Sequence, residues 1–239
     1  MKTLNLLYKR EYEINDYISV YIPELGEVLE QEDEYFFLVS LFTAMPIDLM
    51  VQLDEFGIDF TEINEFELFV ILFEAVIKEK DTSLIFKKLD MGDFFVSVNE
   101  QNGNIILENQ KTGAKIDRAI HSKIASALRK IHHLEKNAKK PANGEAKDYM
   151  LERAKAKARR NRNRVVESEL EQLIVAMVNS EQFKYKFEDV LKLSIYQFNE
   201  SVRQVIKKND YNNRMHGIYS GTVNAKELSQ DDLNWLKHK

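Results

Sequence analysis

The chain of 239 residues contains no cysteine. It therefore cannot form a disulfide framework, a thiolate metal site or a cysteine nucleophile. Long apolar runs are missing as well. The best candidate, FELFVILFEAVI, is interrupted by Glu67 and Glu74 and falls short of the roughly 18 to 20 residues that cross a bilayer. We expect a buried helix there and no membrane partner.

Catalytic and phosphate-binding motifs are also missing. The sequence contains no G-x-G-x-x-G, G-x-S-x-G or H-E-x-x-H pattern, and KTGAK at 111–115 is too short for a phosphate-binding loop. The acidic runs EQEDE at 30–34 and DMGD at 90–93 lack the alternating ligands of a calcium loop. We therefore predict a non-enzymatic protein with no catalytic residue and no cofactor.

The histidines do not indicate a metal site. His132 and His133 are adjacent, so their side chains point about 100° apart on a helix and cannot chelate one ion. We expect both to be solvated residues at a helix end, where a histidine interacts with the helix dipole. No metal ion is predicted.

The composition, with 44% apolar and 31% charged residues, is that of an ordinary globular protein. The net charge of −5 conceals a strong division along the chain. Residues 1–109 carry 7 Lys and Arg against 23 Asp and Glu (−16), residues 110–164 carry 17 against 5 (+12), and residues 165–239 carry 10 against 11 (−1). Such a division favours docking of the basic segment on an acidic surface of its own chain, of a second copy or of another protein.

The apolar pattern predicts an α+β fold that is mainly α-helical, with helical bundle-like domains, an N-terminal strand pair and a central β-hairpin. REYEINDYISVYIP at 10–23 alternates like a strand pair, with a turn at Asn15-Asp16. FFVSVNEQNGNIILEN at 94–109 reads as a hairpin around Asn102-Gly103.

Helices are predicted between these strands and after them. One ends before Pro46, the next ends at Gly57, and a third is capped by Asn64 together with Glu67. Asp117 and Ser194 are predicted to cap two later helices. Towards the C-terminus we expect a loop at HGIYSGT and then a short helix at LSQDDLNWLK.

Three parts are predicted along the chain. Residues 1–134 form an acidic α+β domain with the hairpin, 135–164 a linker and a basic helix, and 165–239 a helical C-terminal domain. The boundary is placed at EKNAKKPANGE, which combines charge, proline and Asn-Gly without apolar periodicity.

The basic helix supplies most of the predicted partner-binding residues. Its sequence, ERAKAKARRNRNR at 152–164, favours a helix but leaves it almost without an apolar face. The candidates are Arg153, Lys155, Lys157, Arg159, Arg160, Arg162 and Arg164. Nucleic acid is a less favoured partner than protein, because no aromatic residues are interleaved for base stacking and the chain as a whole is acidic.

Two aromatic residues complete the candidates. Tyr219 and Trp235 are interface candidates because tyrosine and tryptophan are frequent interface anchors. For Trp235, docking back onto its own domain is the favoured alternative.

Four stretches together resemble proteins encoded in the structural gene modules of tailed bacteriophages and prophages. They lie between Asp16 and Leu236 and read DYISVYIPELGEVL, LFTAMPIDLMVQLDEFGIDFTEINEFELF, MVNSEQFKYKFEDVLKLSIYQFNESVRQV and HGIYSGTVNAKELSQDDLNWL. The resemblance implies a morphogenesis protein of the tail-assembly-chaperone type. Its partners are then phage structural proteins such as the tape-measure protein, with a second copy of the chain as a further option.

Two alternatives to the chaperone remain open. The protein is either a permanent virion component of a neck, tail or baseplate, or a nucleic-acid-binding phage factor that uses the basic helix. Because the N-terminus shows no secretory signal pattern, we expect the host cytoplasm as its location, or the virion if it is a permanent component.

Overall fold

Helices dominate the computed structural model, which describes residues 6–99, 103–161, 168–224, 227–229 and 233–236. The α-helices are α1 (Leu25–Glu30), α2 (Glu32–Thr43), α3 (Met50–Glu55), α4 (Glu65–Ala75), α5 (Arg118–His132), α6 (Gly144–Asn161), α7 (Glu169–Val178), α8 (Phe187–Val190) and α9 (Ile195–Tyr219). The strands are β1 (Glu11–Glu13), β2 (Ser19–Tyr21), β3 (Phe94–Val98), β4 (Ile105–Asn109) and β5 (Lys115–Ile116). With 55% of the described residues in α- or 3₁₀-helices and 9% in strands, the predicted mainly helical α+β class is confirmed. No helix within the described ranges is long and apolar enough to cross a membrane.

The N-terminal strand pair forms where the alternating pattern predicts it. β1 and β2 pair antiparallel, with Tyr12 opposite Val20. In the turn, the side chain of Asn15 accepts the backbone N–H of Ile18 at 2.8 Å. Ile18 and Val20 are both buried, because alternate residues of a strand share one face. The pair therefore contributes directly to the core.

Helix boundaries near Pro46 also follow the prediction. Met45 has extended backbone angles, because a proline ring disfavours the helical region for the residue before it. Accordingly α2 ends at Thr43. A 3₁₀ turn at Pro46–Leu49 leads into α3, and Gly57 follows α3 with a φ of +71°, a left-handed conformation that glycine adopts without strain.

The predicted helix caps are present. The side chain of Asn64 accepts the backbone N–H groups of Phe66 and Glu67 at the start of α4. At the start of α5, Asp117 accepts the N–H of Ile120 at 2.8 Å. Each cap satisfies a donor that the first turn of a helix leaves unpaired.

The central hairpin is extended by a third short strand. β3 and β4 pair antiparallel with Val98 opposite Ile105, and β5 pairs with the other edge of β4. Gly103 has a φ of +69°, as the predicted turn requires. Asn102, its partner in that prediction, lies outside the described residues.

The C-terminal segment corrects two predictions. α9 continues through Gly217 to Tyr219, where a loop was predicted. Gly217 is needed because the chain folds back onto it, and a Cβ there would meet a side-chain carbon of Val223 at 2.7 Å. Residues 233–236, a part of the predicted terminal helix, form turns, and the side chain of Asn234 accepts the N–H of Leu236 at 3.1 Å, a local bond that competes with helical bonding. Residues 230–232 and 237 of that prediction lie outside the described residues.

One buried cluster joins residues from both ends of the chain. It contains Leu25 of α1 and Phe198 of α9. Backbone hydrogen bonds reinforce this contact: Leu25 donates to the carbonyl of Leu193, and Ile195 donates to the carbonyl of Pro23, both at 2.9 Å. The predicted division into three parts stays a prediction, and the shared core gives a way to test it.

The histidines of α5 correct another prediction. His132 and His133 were predicted to be solvated, but both are packed against other parts of the chain. His132 lies within hydrogen-bond distance of the Tyr35 hydroxyl, at 2.9 Å from its Nε2, and burial lowers the pKa of His132 to about 3. His133 is half-buried and ends the helix in the left-handed conformation. His121 stacks on Phe69 with 4.2 Å between ring centroids, and burial lowers the pKa of His121 to about 4. The prediction was wrong because α2 packs against His132 and α9 packs against His133.

These buried histidines predict an acid-sensitive fold. A depressed folded-state pKa means that stability is fully present above the unfolded pKa of about 6.5 and is lost as the pH falls. Between pH 6.5 and about 5, His121 and His132 should together bind up to two protons on unfolding, which corresponds to about 2.7 kcal/mol per pH unit. Burial lowers the pKa of His133 as well, so His133 adds to the slope in the same direction. Urea unfolding across this range measures the slope. His132→Gln should lower the number of protons bound on unfolding by up to one and so reduce the slope. An unchanged slope would contradict the assignment to His132.

Candidate partner-binding surface

The predicted basic helix forms the second half of α6. The side chain of Asn143 accepts the N–H of Ala146 at 2.8 Å and satisfies a donor of the first turn. No residue of α6 is fully buried. Half-buried residues nevertheless recur at helical spacing, and they are Ala146, Lys147, Met150, Leu151, Ala154 and Lys155. This stripe is the face by which α6 docks on the rest of the chain.

Two ion pairs hold the docked face. Lys155 lies 2.5 Å from a carboxylate oxygen of Asp54 in α3, and Lys147 donates to Asp59 in the loop after α3. The hydrogen bond from Lys147, aided by the backbone and hydroxyl of Thr61, lowers the pKa of Asp59 to about 2. The acidic N-terminal part of the same chain therefore receives part of the basic helix, which is one of the docking modes that the charge division favours.

The remaining cations of the described part of α6 take no part in this contact. Arg153, Lys157, Arg159 and Arg160 are exposed, and we call them the basic face. Within the described part of the chain, none of the four forms an ion pair; Arg153 lies over the ring of Tyr149 at 5.7 Å. Every residue of α6 after Lys155 is exposed, so the last turns of the helix extend beyond the docking contact.

The other four candidate residues are not part of this described surface of α6. Arg162 and Arg164 lie outside the described residues. Tyr219 is 83% exposed at the end of α9. Trp235 is half-buried, with the amino group of Lys208 in α9 at 4.5 Å from its ring centroid. It borders a groove of about 1330 Å³ along α9, so it contacts its own chain, the arrangement that was favoured for it.

Sequence reasoning missed the group that anchors the connection to α6. Arg129 of α5 donates to Glu65 of α4 at 2.6 Å and to the carbonyl of Thr43 at 2.5 Å. Lys136, in the connection between α5 and α6, binds the other carboxylate oxygen of Glu65 at 2.5 Å. Burial raises the pKa of Glu65, but the hydrogen bonds from Lys136 and Arg129 outweigh it and the net pKa is lowered. The partners are 64 and 71 residues apart, and no local pattern indicates such pairs.

The described ranges contain no cluster of three or more His, Asp or Glu side chains that could hold a metal ion. The charged groups around α6 are arranged in pairs that fasten one element to another. The charged surface that stays unpaired within the described residues is the basic face of α6.

Comparison with known proteins adds one similarity. No curated protein and no solved structure matches the chain. Residues 159–239 match the family model described as the YomV second domain. This family derives from Bacillus phages and prophages, so the C-terminal part of the chain, from Arg159 in α6 onwards, is similar to a phage-associated domain.

Proposed function

We propose that the protein is a non-enzymatic phage morphogenesis protein and that it acts in the host cytoplasm as a tail-assembly chaperone. In this role its basic face binds acidic surfaces of phage structural proteins, such as the tape-measure protein, before they assemble. The observation that carries the proposal is the basic face itself, whose four cations are exposed and have no ion-pair partner within the described residues. Lys157, Arg159 and Arg160 lie beyond the docked part of α6.

The docking of α6 supports this role in two ways. First, Lys147 and Lys155 fix the helix on the acidic surface around α3, so its basic face is held in place before a partner arrives. A helix that is already ordered loses less conformational entropy on binding. Second, these two lysines occupy Asp54 and Asp59, while the cations of the basic face form no ion pair with the described part of the chain and so are available for acids of another protein.

Ion pairs between the basic face and acids of another protein have a strength that suits a transient partner. Exposed ion pairs each contribute about 1 kcal/mol or less and are screened by salt. Four clustered cations therefore give a fast and reversible association. A permanent virion component usually buries a larger and more apolar interface.

Purified phage particles and infected cells together test the chaperone role. Mass spectrometry should find the protein absent from purified particles. Affinity capture from infected cells should recover structural proteins encoded by neighbouring genes, in amounts that fall as salt rises. Stoichiometric presence in particles would instead make it a virion component. Nuclease-sensitive recovery of nucleic acid in place of those proteins would favour the nucleic-acid-binding alternative.

A further inference from the structure

A second region of the molecule has the form of a small-molecule site. A cavity of about 650 Å³ lies between the starts of α4, α5 and α6 and the connection before α6. Ligand pockets in proteins commonly span roughly 300 to 1,000 Å³. Apolar and aromatic side chains form part of its wall, among them Ile63, Phe60 and Phe66. The last two are 6% and 7% exposed, so they are fixed in the core and present only part of their rings.

The charge of the cavity lining is opposite to that of the whole chain. Five cations line it, and they are Arg118, Lys136, Lys139, Lys140 and Lys147, whereas Glu65 is the one acid among the lining residues. Lys136 is bound to Glu65 and Lys147 to Asp59. Within the described part of the chain, Arg118, Lys139 and Lys140 have no ion pair. A lining this basic, in a protein of net charge −5, attracts an anion.

A buried polar atom in the lining also lacks a partner. His121 lines the cavity and is 2% exposed, and its Nε2 has no hydrogen-bond partner among the described residues. Burial keeps the ring neutral at neutral pH. A buried polar group without a partner costs free energy, which a ligand with a hydrogen-bonding edge can recover.

We propose that this cavity binds a nucleoside monophosphate. The phosphate group is held by Arg118, Lys139 and Lys140 at the rim, and the base packs against Phe60 and Phe66. The edge of the base, which carries both donors and acceptors, satisfies the Nε2 of His121. The volume of the cavity fits a molecule of this size, its cations select the phosphate, and the unpaired Nε2 of His121 selects the edge of the base. Such binding would be independent of the proposed chaperone role.

Isothermal titration calorimetry of the full chain tests the proposal, with the four ribonucleoside monophosphates, inorganic phosphate and the parent nucleosides as probes. At least one nucleotide should bind with a stoichiometry of one and weaken as salt rises. Inorganic phosphate and the matching nucleoside should each bind at least about tenfold more weakly, because each lacks one half of the contacts. A short single-stranded oligonucleotide should bind no more tightly than the mononucleotide.

Three variants assign the binding to this cavity. Lys139→Ala/Lys140→Ala and His121→Phe should each weaken nucleotide binding about tenfold, whereas Lys186→Ala/Lys192→Ala, which removes two exposed lysines outside the cavity, should not change it. Circular dichroism confirms that each variant is folded, and Arg118→Ala repeats the test at an exposed site if His121→Phe fails to fold. The proposal is overturned if no nucleotide binds, if inorganic phosphate binds as well as the nucleotide, if the oligonucleotide binds much more tightly, or if folded cavity variants bind like the control.

Discussion

Glu65→Ala is expected to lower the free energy of unfolding by about 3 to 5 kcal/mol. The Glu65 side chain is 13% exposed and that of Arg129 is 8% exposed, so the substitution leaves a buried guanidinium without its carboxylate. It also releases Lys136 and with it the connection to α6. Urea unfolding followed by circular dichroism measures the loss.

Two further variants show whether this loss of stability comes from leaving a buried charge unpaired. Glu74→Ala removes an exposed acid from the same helix and should change stability by no more than about 0.5 kcal/mol. The double variant Glu65→Met/Arg129→Met should recover much of the loss, because no charge is then buried alone. If Glu65→Ala and Glu74→Ala have the same small effect, water reaches the pair and it does not hold α4 and α5 together.

Phe198→Ala is expected to cost about 3 to 5 kcal/mol as well. Phe198 is fully buried in the cluster that also contains residues of the N-terminal part, and it contacts the ring of Phe183 with 6.2 Å between centroids. Because the cluster is shared, the N-terminal strand pair should lose stability together with α9. Hydrogen exchange in increasing urea, followed at the backbone amides of β2 and α9, measures the free energy of opening of both elements in one experiment.

The control for Phe198→Ala lies on the same helix. Ile206 is 55% exposed, so Ile206→Ala should have a small effect. If Phe198→Ala raises exchange in α9 and leaves β2 protected, the C-terminal part unfolds by itself, as the predicted domain boundary implies. Joint exposure of both elements would place them in one cooperative unit.

Local features of the fold could be predicted from the sequence. The caps at Asn64, Asp117 and Ser194 are present, because a cap depends on residues within one turn of it. The end of α2 before Pro46 and the left-handed Gly57 also depend on single residues and their neighbours. The basic segment formed a helix for a similar reason, since its composition favours one.

Features that join distant parts of the chain could not be predicted. Tyr35 and His132 are 97 residues apart, and the histidine was taken as solvated because its position at a helix end says nothing about what covers it. The same holds for the candidate site: the sequence indicated a basic helix and an acidic surface, but not that Lys155 pairs with Asp54 while Lys157 stays exposed. Which face of α6 is free depends on tertiary packing.

Matched charge reversal tests the basic face most directly. One variant changes Arg153, Lys157, Arg159 and Arg160 to Glu, and the control changes four exposed lysines elsewhere, Lys123, Lys184, Lys186 and Lys192, to Glu. Each variant alters the charge by −8, from −5 to −13, so both carry the same net charge. Capture of the neighbouring phage structural proteins from infected cells is then compared. Only the basic-face variant should lose them, and equal capture by both variants would mean that the basic face does not bind these proteins.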